Sequence, residues 1–288
     1  MTAGAGQPTS DFKSLIKQKF DARTSYDKDN ERHPTLAAQL VKRSNLRLGW
    51  QVLDLACGSG LVTYLAAADV GSAGYVTGMD LSTGLIQQAE AKRCSSGLNN
   101  INFVEGDIEN AEFPSRSFDA ILCSSAIFYF DMPTTAKRLH TWLKPDGLLA
   151  YNTLQAPFTP LLVLLHQLLQ EHGCSNSQPA FSQVPDEAAH IAVLQKANFT
   201  TVKVEATPGL LLEKPTPLDV YVDKGWQMVA TGFKPFFPSL ANMSTSEQAA
   251  LKEQFCAQAT VIGKGMINKQ GLVEDKHINL WITAIAAV

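Results

Sequence analysis

The sequence predicts an α/β fold, a parallel sheet with helices on both faces. Short buried-strand patterns alternate with helical ones from residue 51 to residue 153. Strand, helix, strand at this spacing means βαβ units, and those require a parallel sheet. At 45% hydrophobic and 18% charged residues, a chain of 288 residues can bury a sizeable core without staples.

The elements follow in order. The first ten residues are small and polar. Asp11–Asn45 reads as helical pieces, with Leu36, Ala37, Leu40 and Val41 on one face and Thr35, after Pro34, as N-cap. Gln51–Ala56 is a buried strand, Leu61–Asp69 a helix and Gly74–Asp80 a strand. Ser82 caps a helix that ends at Gly97. Ile101–Glu105 and Phe118–Ser124 are strands, Pro133–Leu143 is a helix, and Gly147–Thr153 is a strand entered through the turn Lys144–Gly147. Beyond it the pattern loosens. Phe158–His172 and Asp186–Ala197 are helical, Phe199–Ala206 alternates as a strand, Leu218–Ala230 and Ser244–Ile262 are helical, and His277–Val288 is a closing strand. The stretch 207–276 thus interrupts the sheet before its last strand. Its apolar stripe, Leu251, Phe255, Ala259 and Ile262, is expected to lie against the sheet domain, and Trp226, Phe233, Phe236 and Phe237 either line an apolar pocket or form the insertion's own core.

Composition excludes several function classes. The net charge is −3, and no run of basic residues exceeds two, so nothing marks a phosphate-backbone binder and no nucleic-acid partner is expected. Five cysteines at wide spacing, with no CxxC, form neither a disulfide framework nor a zinc site, and no metal is expected. They fit a reducing, cytoplasmic location. The start of the chain lacks the charge and apolar core of a signal peptide, and Pro160–Leu169 is shorter than the roughly 20 residues of a membrane span.

The most informative segment is Val52–Gly60, VLDLACGSG. A hydrophobic strand ends in a small turn and a helix starts at once. Gly58 and Gly60 permit positive φ and close approach of a ligand, and in an open α/β sheet such a turn lies at the carboxyl edge, where ligands bind. Asp80 ends the second strand, where an acid meets ribose hydroxyls. A dinucleotide site wants a third small residue after Gly58 and Gly60, and Thr63 stands there. Asp54 would also be awkward beside a pyrophosphate. S-adenosylmethionine (SAM) carries an ammonium and a sulfonium and no phosphate, so an acid near the turn suits it.

The sequence resembles the class I SAM-dependent methyltransferases, and within them the small-molecule branch typified by ubiquinone and menaquinone biosynthesis. VLDLACGSG resembles the first motif, GYVTGMDLS the second, Phe103–Ile108 the third, Ser117–Ser124 the fourth strand and Leu143–Leu149 the fifth motif, with Asp146 in place of the usual Gly. The resemblance covers residues 35–153. It implies a Rossmann-like, seven-stranded, mostly parallel sheet with a terminal antiparallel strand and helices on both faces, and the helical insertion 207–276 is expected to lie over the active-site edge as a substrate cap. It also implies an N-terminal lid over residues 1–34. Carried over by position, Asp54, Ala56, Gly58 and Gly60 hold the methionine end of SAM, Asp80 the ribose, and Asp107 with Ile108 the adenine. Leu81 packs on the adenine and Cys123 lies beneath the methionine.

Tyr26 either closes the cofactor site or is a surface aromatic, and His33 is either a general base or a solvated loop residue. Quinone-type relatives often carry His where Phe128 and Tyr129 stand, so base catalysis from that spot is disfavoured, and Tyr129 is left as a substrate contact or a packing residue. Methyl transfer is an in-line displacement, and it needs a base only if the acceptor keeps its proton at neutral pH. Cys123–Ala126 stands where enzymes that methylate the amino group of adenine or glutamine carry a prolyl-aromatic tetrapeptide, which argues against that reaction. The large apolar insertion and the absence of basic patches favour a free small-molecule acceptor, apolar or aromatic, and a monomer or homodimer is expected. Two rivals stay open, a SAM-binding protein that transfers no methyl and a nicotinamide oxidoreductase.

Overall fold

The computed structural model describes residues 10–24, 26–28, 31–156, 159–174, 184–210, 214–232, 237 and 239–288. The chain forms two compact units. The larger is Gly6–Thr153, Asp186–Ala206 and Leu280–Val288, and the smaller is built from Leu154–Pro185 and Thr207–Asn279.

Two helices come first, α1 (Ser10–Asp21) and α2 (Arg32–Ser44). The alternation then runs β1 (Gln51–Leu55), α3 (Leu61–Val70), β2 (Tyr75–Asp80), α4 (Thr83–Ser96), β3 (Ile101–Glu105), β4 (Phe118–Ser124), α5 (Met132–Trp142) and β5 (Leu143–Leu154). After α6 (Pro160–Glu171) and α7 (Glu187–Lys196) come β6 (Phe199–Leu210), α8 (Leu218–Gln227), a four-residue α9 (Ser239–Asn242), α10 (Thr245–Lys264) and β7 (Lys276–Ala286). The seven strands form one sheet in the order β3-β2-β1-β4-β5-β7-β6. The first five are parallel. Ala287 N–H donates to Asn198 O, and Thr200 Oγ1 to Ile285 O, so β7 runs antiparallel to β6. The sheet is thus mostly parallel with one antiparallel strand near its end, as the resemblance implied.

The central strands are buried on both faces, and Val52, Leu53, Leu55, Ile121 and Leu122 have no exposed surface. That is why they read as unbroken apolar runs. Register aligns Leu55 with Met79 and with Cys123. The turn after β1, Asp80 and the residues after β4 therefore share one edge of the sheet.

Three local expectations change. Helix α2 begins at Arg32, so Thr35 sits inside its first turn, and its hydroxyl donates to Glu31 O. Pro34 is tolerated there because early helical N–H groups lack intrahelical partners. The turn Lys144–Gly147 does not precede β5 but bulges out of it. Phe118 faces Leu143 and Ala120 faces Leu148, and Asp146 takes a φ of 61°. Strand β6 runs on through Pro208, which an edge strand allows because it lacks one row of partners.

In the smaller unit, α10 buries Leu251, Phe255, Ala259 and Gly263 at intervals of four. Gly263, not Ile262, completes the stripe. A Cβ there would lie 2.5 Å from Leu218 Cδ1 and 3.1 Å from Tyr221, so glycine lets α8 approach closely. The stripe packs on α8 and on α6, whose Leu161, Leu162, Leu164, Leu165, Leu168 and Leu169 are buried. The expectation that this stripe lies against the sheet domain gives way, because α6 supplies the apolar face that the insertion lacks. Trp226 packs on Phe255 at 5.3 Å between ring centroids and Phe237 is fully buried, whereas Phe233 and Phe236 lie outside the described residues. Among the described residues, no helix is long and apolar enough to cross a membrane.

Candidate active site

The turn after β1 holds three residues at positive φ, Ala56 (50°), Gly58 (57°) and Gly60 (90°). An alanine in that region is strained, and such strain concentrates at functional sites. Cys57 N–H donates to Met79 O and ties the turn to β2. Gly58 and Gly60 do different work. A Cβ on Gly58 would make only ordinary contacts, with Tyr26 at 3.7 Å and Leu85 at 3.9 Å, so packing does not demand the glycine and its positive φ does. A Cβ on Gly60 would lie 2.8 Å from Tyr64 and 3.0 Å from Phe103, so Gly60 serves packing at the start of α3.

Asp80 is 8% exposed and bridges two backbone donors. Its Oδ2 accepts from Gly58 N–H and its Oδ1 from Ser82 N–H, both at 2.8 Å. Burial raises its pKa, and the backbone donors only partly offset that. Asp54, 1% exposed, accepts from the Thr63 hydroxyl at 2.6 Å. Desolvation, with a smaller repulsion from Asp80, pushes its carboxyl up to about 7. Asp107 accepts from Glu109 N–H at 3.0 Å and from Asn110 Nδ2 at 2.7 Å, and Lys13 pairs with both Asp107 and Glu109 at 2.5 Å.

The N-terminal segment is tied onto these loops. Asp21 accepts from the Ser82 hydroxyl at 2.7 Å and from Gly84 N–H at 3.0 Å, at the start of α4. Burial works against its charge, but these donors and Lys17 outweigh it and hold the carboxyl below its ordinary value. Asp27 accepts from Lys92 and from the Ser59 hydroxyl, which anchors the short 3-10 turn Tyr26–Lys28 on the glycine turn. Tyr26 stacks on His33 with ring centroids 4.9 Å apart.

An open cleft of about 740 Å³ lies at this edge. Tyr26, Ala56, Gly58, Asp80, Leu81, Asp107, Ile108 and Tyr129 all line it. A smaller hollow of about 310 Å³ beside it is lined by Tyr26, His33, Asp54, Ala56, Gly58 and Ser124, among others. Gly60 and Cys123 line neither. Cys123 is wholly buried in β4, and burial, with Asp54 nearby, pushes its thiol up. At that strand end Ser124, Ser125 and Ala126 form the wall. Buried Asn152 accepts from Ser124 Oγ and donates to Ser125 Oγ, each at 3.0 Å, and holds Ser125 at a φ of 55°.

Sequence reasoning missed one wall entirely. Phe12, Ile16 and Phe20 of α1 line the cleft, with Lys13 beside them. Their i, i+4, i+8 spacing was the available signal. The residues of the cleft fit SAM. The cleft joins an apolar wall to separated carboxylates and a bare glycine backbone, as small-molecule sites do.

Comparison with known proteins agrees. Residues 52–147 match the family model described as a methyltransferase domain. The chain is 35% identical over 176 residues to aklanonic acid methyltransferase DauC of a Streptomyces species (strain C5), covering 57% of this chain and 79% of that protein. It is 30% identical over 199 residues to a demethylmenaquinone methyltransferase of Staphylococcus epidermidis, covering 69% and 80%. In fold it is similar to phosphoethanolamine N-methyltransferase 2 of Haemonchus contortus, solved with S-adenosyl-L-methionine, with a TM-score of 0.59, 16% identity, and coverage of 96% of this chain and 60% of that one. The chain belongs to the class I SAM-dependent methyltransferases of small molecules, and SAM is its cofactor.

Proposed function

We propose that this enzyme methylates a fused-ring aromatic metabolite of the quinone or polyketide kind, with the smaller unit setting acceptor choice. The observation that carries the reading is the cleft at the strand edge, where Gly58, Asp80, Leu81, Asp107 and Ile108 converge from the ends of β1, β2 and β3. The relatives' names, which include aklanonic acid, demethylmenaquinone and 2-phytyl-1,4-naphthoquinone methyltransferases, support the acceptor class. The acidic balance favours a free small molecule over nucleic acid, and the reading includes a cytoplasmic monomer or homodimer.

When bound, SAM supplies a methyl group already activated on a sulfonium. Asp54, Ala56 and Gly58 are assigned to its amino-acid end, with Gly60 shaping the turn and Tyr26 closing over it. Asp80 is assigned to the ribose, Leu81 to the adenine face and Asp107 with Ile108 to the adenine edge. Cys123 is the packed floor under the site, and contact passes to Ser124 and Ser125. Phe12, Ile16, Phe20, Tyr129 and Phe130 wall the cleft and exclude water. Burial first, and Tyr26 second, raise the Tyr129 phenol, and the Cys123 thiol is raised too, so neither is a base at neutral pH. His33 lies in the small hollow beside Asp54 and outside the main cleft. Catalysis therefore rests on positioning and water exclusion.

Titration with S-adenosylhomocysteine tests this reading and has a definite pH signature. The free Asp54 carboxyl titrates near 7, and a ligand ammonium beside it would stabilise the charged form. Binding then releases a proton below pH 7, so affinity rises with pH and levels off above 7. Linkage gives about a tenfold gain between pH 6 and pH 8. The Asp54→Asn variant is expected to lose the dependence. Absence of binding heat overturns the cofactor site, and a flat pH profile with normal affinity removes Asp54 from the ligand's amino end.

A further inference from the structure

One amide interrupts the apolar run of β5. Leu149, Ala150 and Tyr151 have no exposed surface, and Asn152 follows them at 1% exposure, in register with Ser124 of β4. A buried polar side chain in a central strand is the informative exception, because it must find partners. Asn152 finds them at the edge of the cleft. Its Oδ1 accepts from Ser124 Oγ and its Nδ2 donates to Ser125 Oγ, each at 3.0 Å, and its backbone oxygen accepts from Ser125 N–H at 3.2 Å. Ser125 is thereby held at a φ of 55°, where a residue with a Cβ is strained.

The amide makes two identical side chains opposite in character. A serine hydroxyl has one hydrogen and two lone pairs. Ser124 gives its hydrogen to Asn152, so it offers a ligand lone pairs only. Ser125 receives a hydrogen from Asn152 and, among the described residues, gives its own to no other group. Ser125 is therefore a donor at the cleft and Ser124 an acceptor. Their surroundings differ in the same sense. Ser124 also borders the small hollow that holds Asp54, where an acceptor oxygen suits an ammonium. Ser125 borders the main cleft alone, which it lines together with Phe20, Tyr129 and Phe130. Phe20 meets Tyr129 edge to face, with ring centroids 5.9 Å apart. Aromatic walls of this kind take a planar ring but do not read the polar groups at its rim. A single placed donor supplies that reading.

We propose that Ser125, oriented by Asn152, donates a hydrogen bond to a carbonyl oxygen of the methyl acceptor. This rests on the function proposed above and narrows it, dividing the strand-end pair between Ser124 for the cofactor and Ser125 for the acceptor. A carbonyl oxygen accepts and cannot donate, so it matches the Ser125 hydroxyl and not that of Ser124. A site with a placed hydrogen-bonding group separates ligands that differ in the matching group more sharply than an apolar pocket separates ligands that differ in size.

Two probes of one shape test it, 2,3-dimethyl-1,4-naphthoquinone, with two carbonyl oxygens, and 1,2,3,4-tetramethylnaphthalene, with methyl groups in their place. Dissociation constants are measured by calorimetry on the full chain saturated with S-adenosylhomocysteine. Ser125→Ala is expected to weaken the quinone about tenfold and to leave the hydrocarbon unchanged. Ser125→Gly, which suits the positive φ, should do the same and keeps the test open if the Ala variant fails to fold. Asn152→Leu should weaken the quinone alone, by about threefold, because the Ser125 hydroxyl then loses its fixed direction. Equal losses for both probes, or no loss for either, in the Ser125 variants overturn the proposal. So does a weakened S-adenosylhomocysteine in those variants, which would hand Ser125 to the cofactor. An Asn152→Leu chain with a lowered melting temperature and an unchanged quinone constant overturns the orienting role. If the wild-type chain binds S-adenosylhomocysteine but neither probe, it is the acceptor class proposed above that fails, and this inference falls with it.

Discussion

Replacing Asp80 with Ala is expected to weaken S-adenosylhomocysteine by about 1–3 kcal/mol, roughly 5- to 150-fold. Two losses combine. The proposed ribose contact disappears, and the Gly58 and Ser82 N–H groups lose the carboxylate that holds both. Asp80→Asn does not repair this, since its amide NH2 must face one of those two donors. The substitution carries a second signature. Repulsion from Asp80 contributes to the raised pKa of Asp54, so the midpoint of the pH dependence should fall. Calorimetric titration at several pH values reads both effects. An unchanged dissociation constant in a folded variant would make Asp80 a turn residue only.

The second large effect concerns stability. Phe255 has no exposed surface, sits between Leu251 and Ala259 on the buried stripe of α10, and packs against Trp226. Phe255→Ala leaves a cavity among helices that relax only partly, and the expected cost is about 3–5 kcal/mol. Chemical denaturation followed by tryptophan fluorescence checks it, and a loss below about 1 kcal/mol would show that α6 and α8 can collapse onto the gap.

Much of the larger unit was legible because its signals are local. The strands β1 and β4 are apolar runs, Ser82 accepts from Leu85 N–H as a helix N-cap, and Gly97 ends α4 at a φ of 70°. The glycine turn and Asp80 announce a ligand edge because few other uses require glycine, acid and strand end at that spacing. What stayed hidden depends on partners far away in the chain. The spacing of Phe12, Ile16 and Phe20 marks an apolar helix face but not the surface it meets. Nothing local to Pro160–Glu171 says that its leucines will receive α10. Gly263 replaces Ile262 in the stripe because α8 comes within reach of its Cα, a fact of packing and not of periodicity. The bulge at Lys144–Gly147 reads as a turn in sequence and becomes part of a strand only through its pairing with β4.

The way the chain is threaded through its two units bears on how the smaller unit, proposed above to set acceptor choice, can be transplanted. The boundaries fall after Thr153, Ala206 and Asn279, within β5, β6 and β7, and after Pro185, ahead of α7. A single-loop exchange of 207–276 would carry α8 and α10 into a new host but leave α6 behind, and it would part Asp275 from Thr159. The six buried leucines of α6 would then face a foreign helix pair shaped for other knobs and holes. Recombination between relatives should therefore use four crossovers, after Thr153, Pro185, Ala206 and Asn279, so that 154–185 and 207–279 are inherited together. Lineages that diversified by swapping this region would show its two segments changing in concert, as a discontinuous cassette.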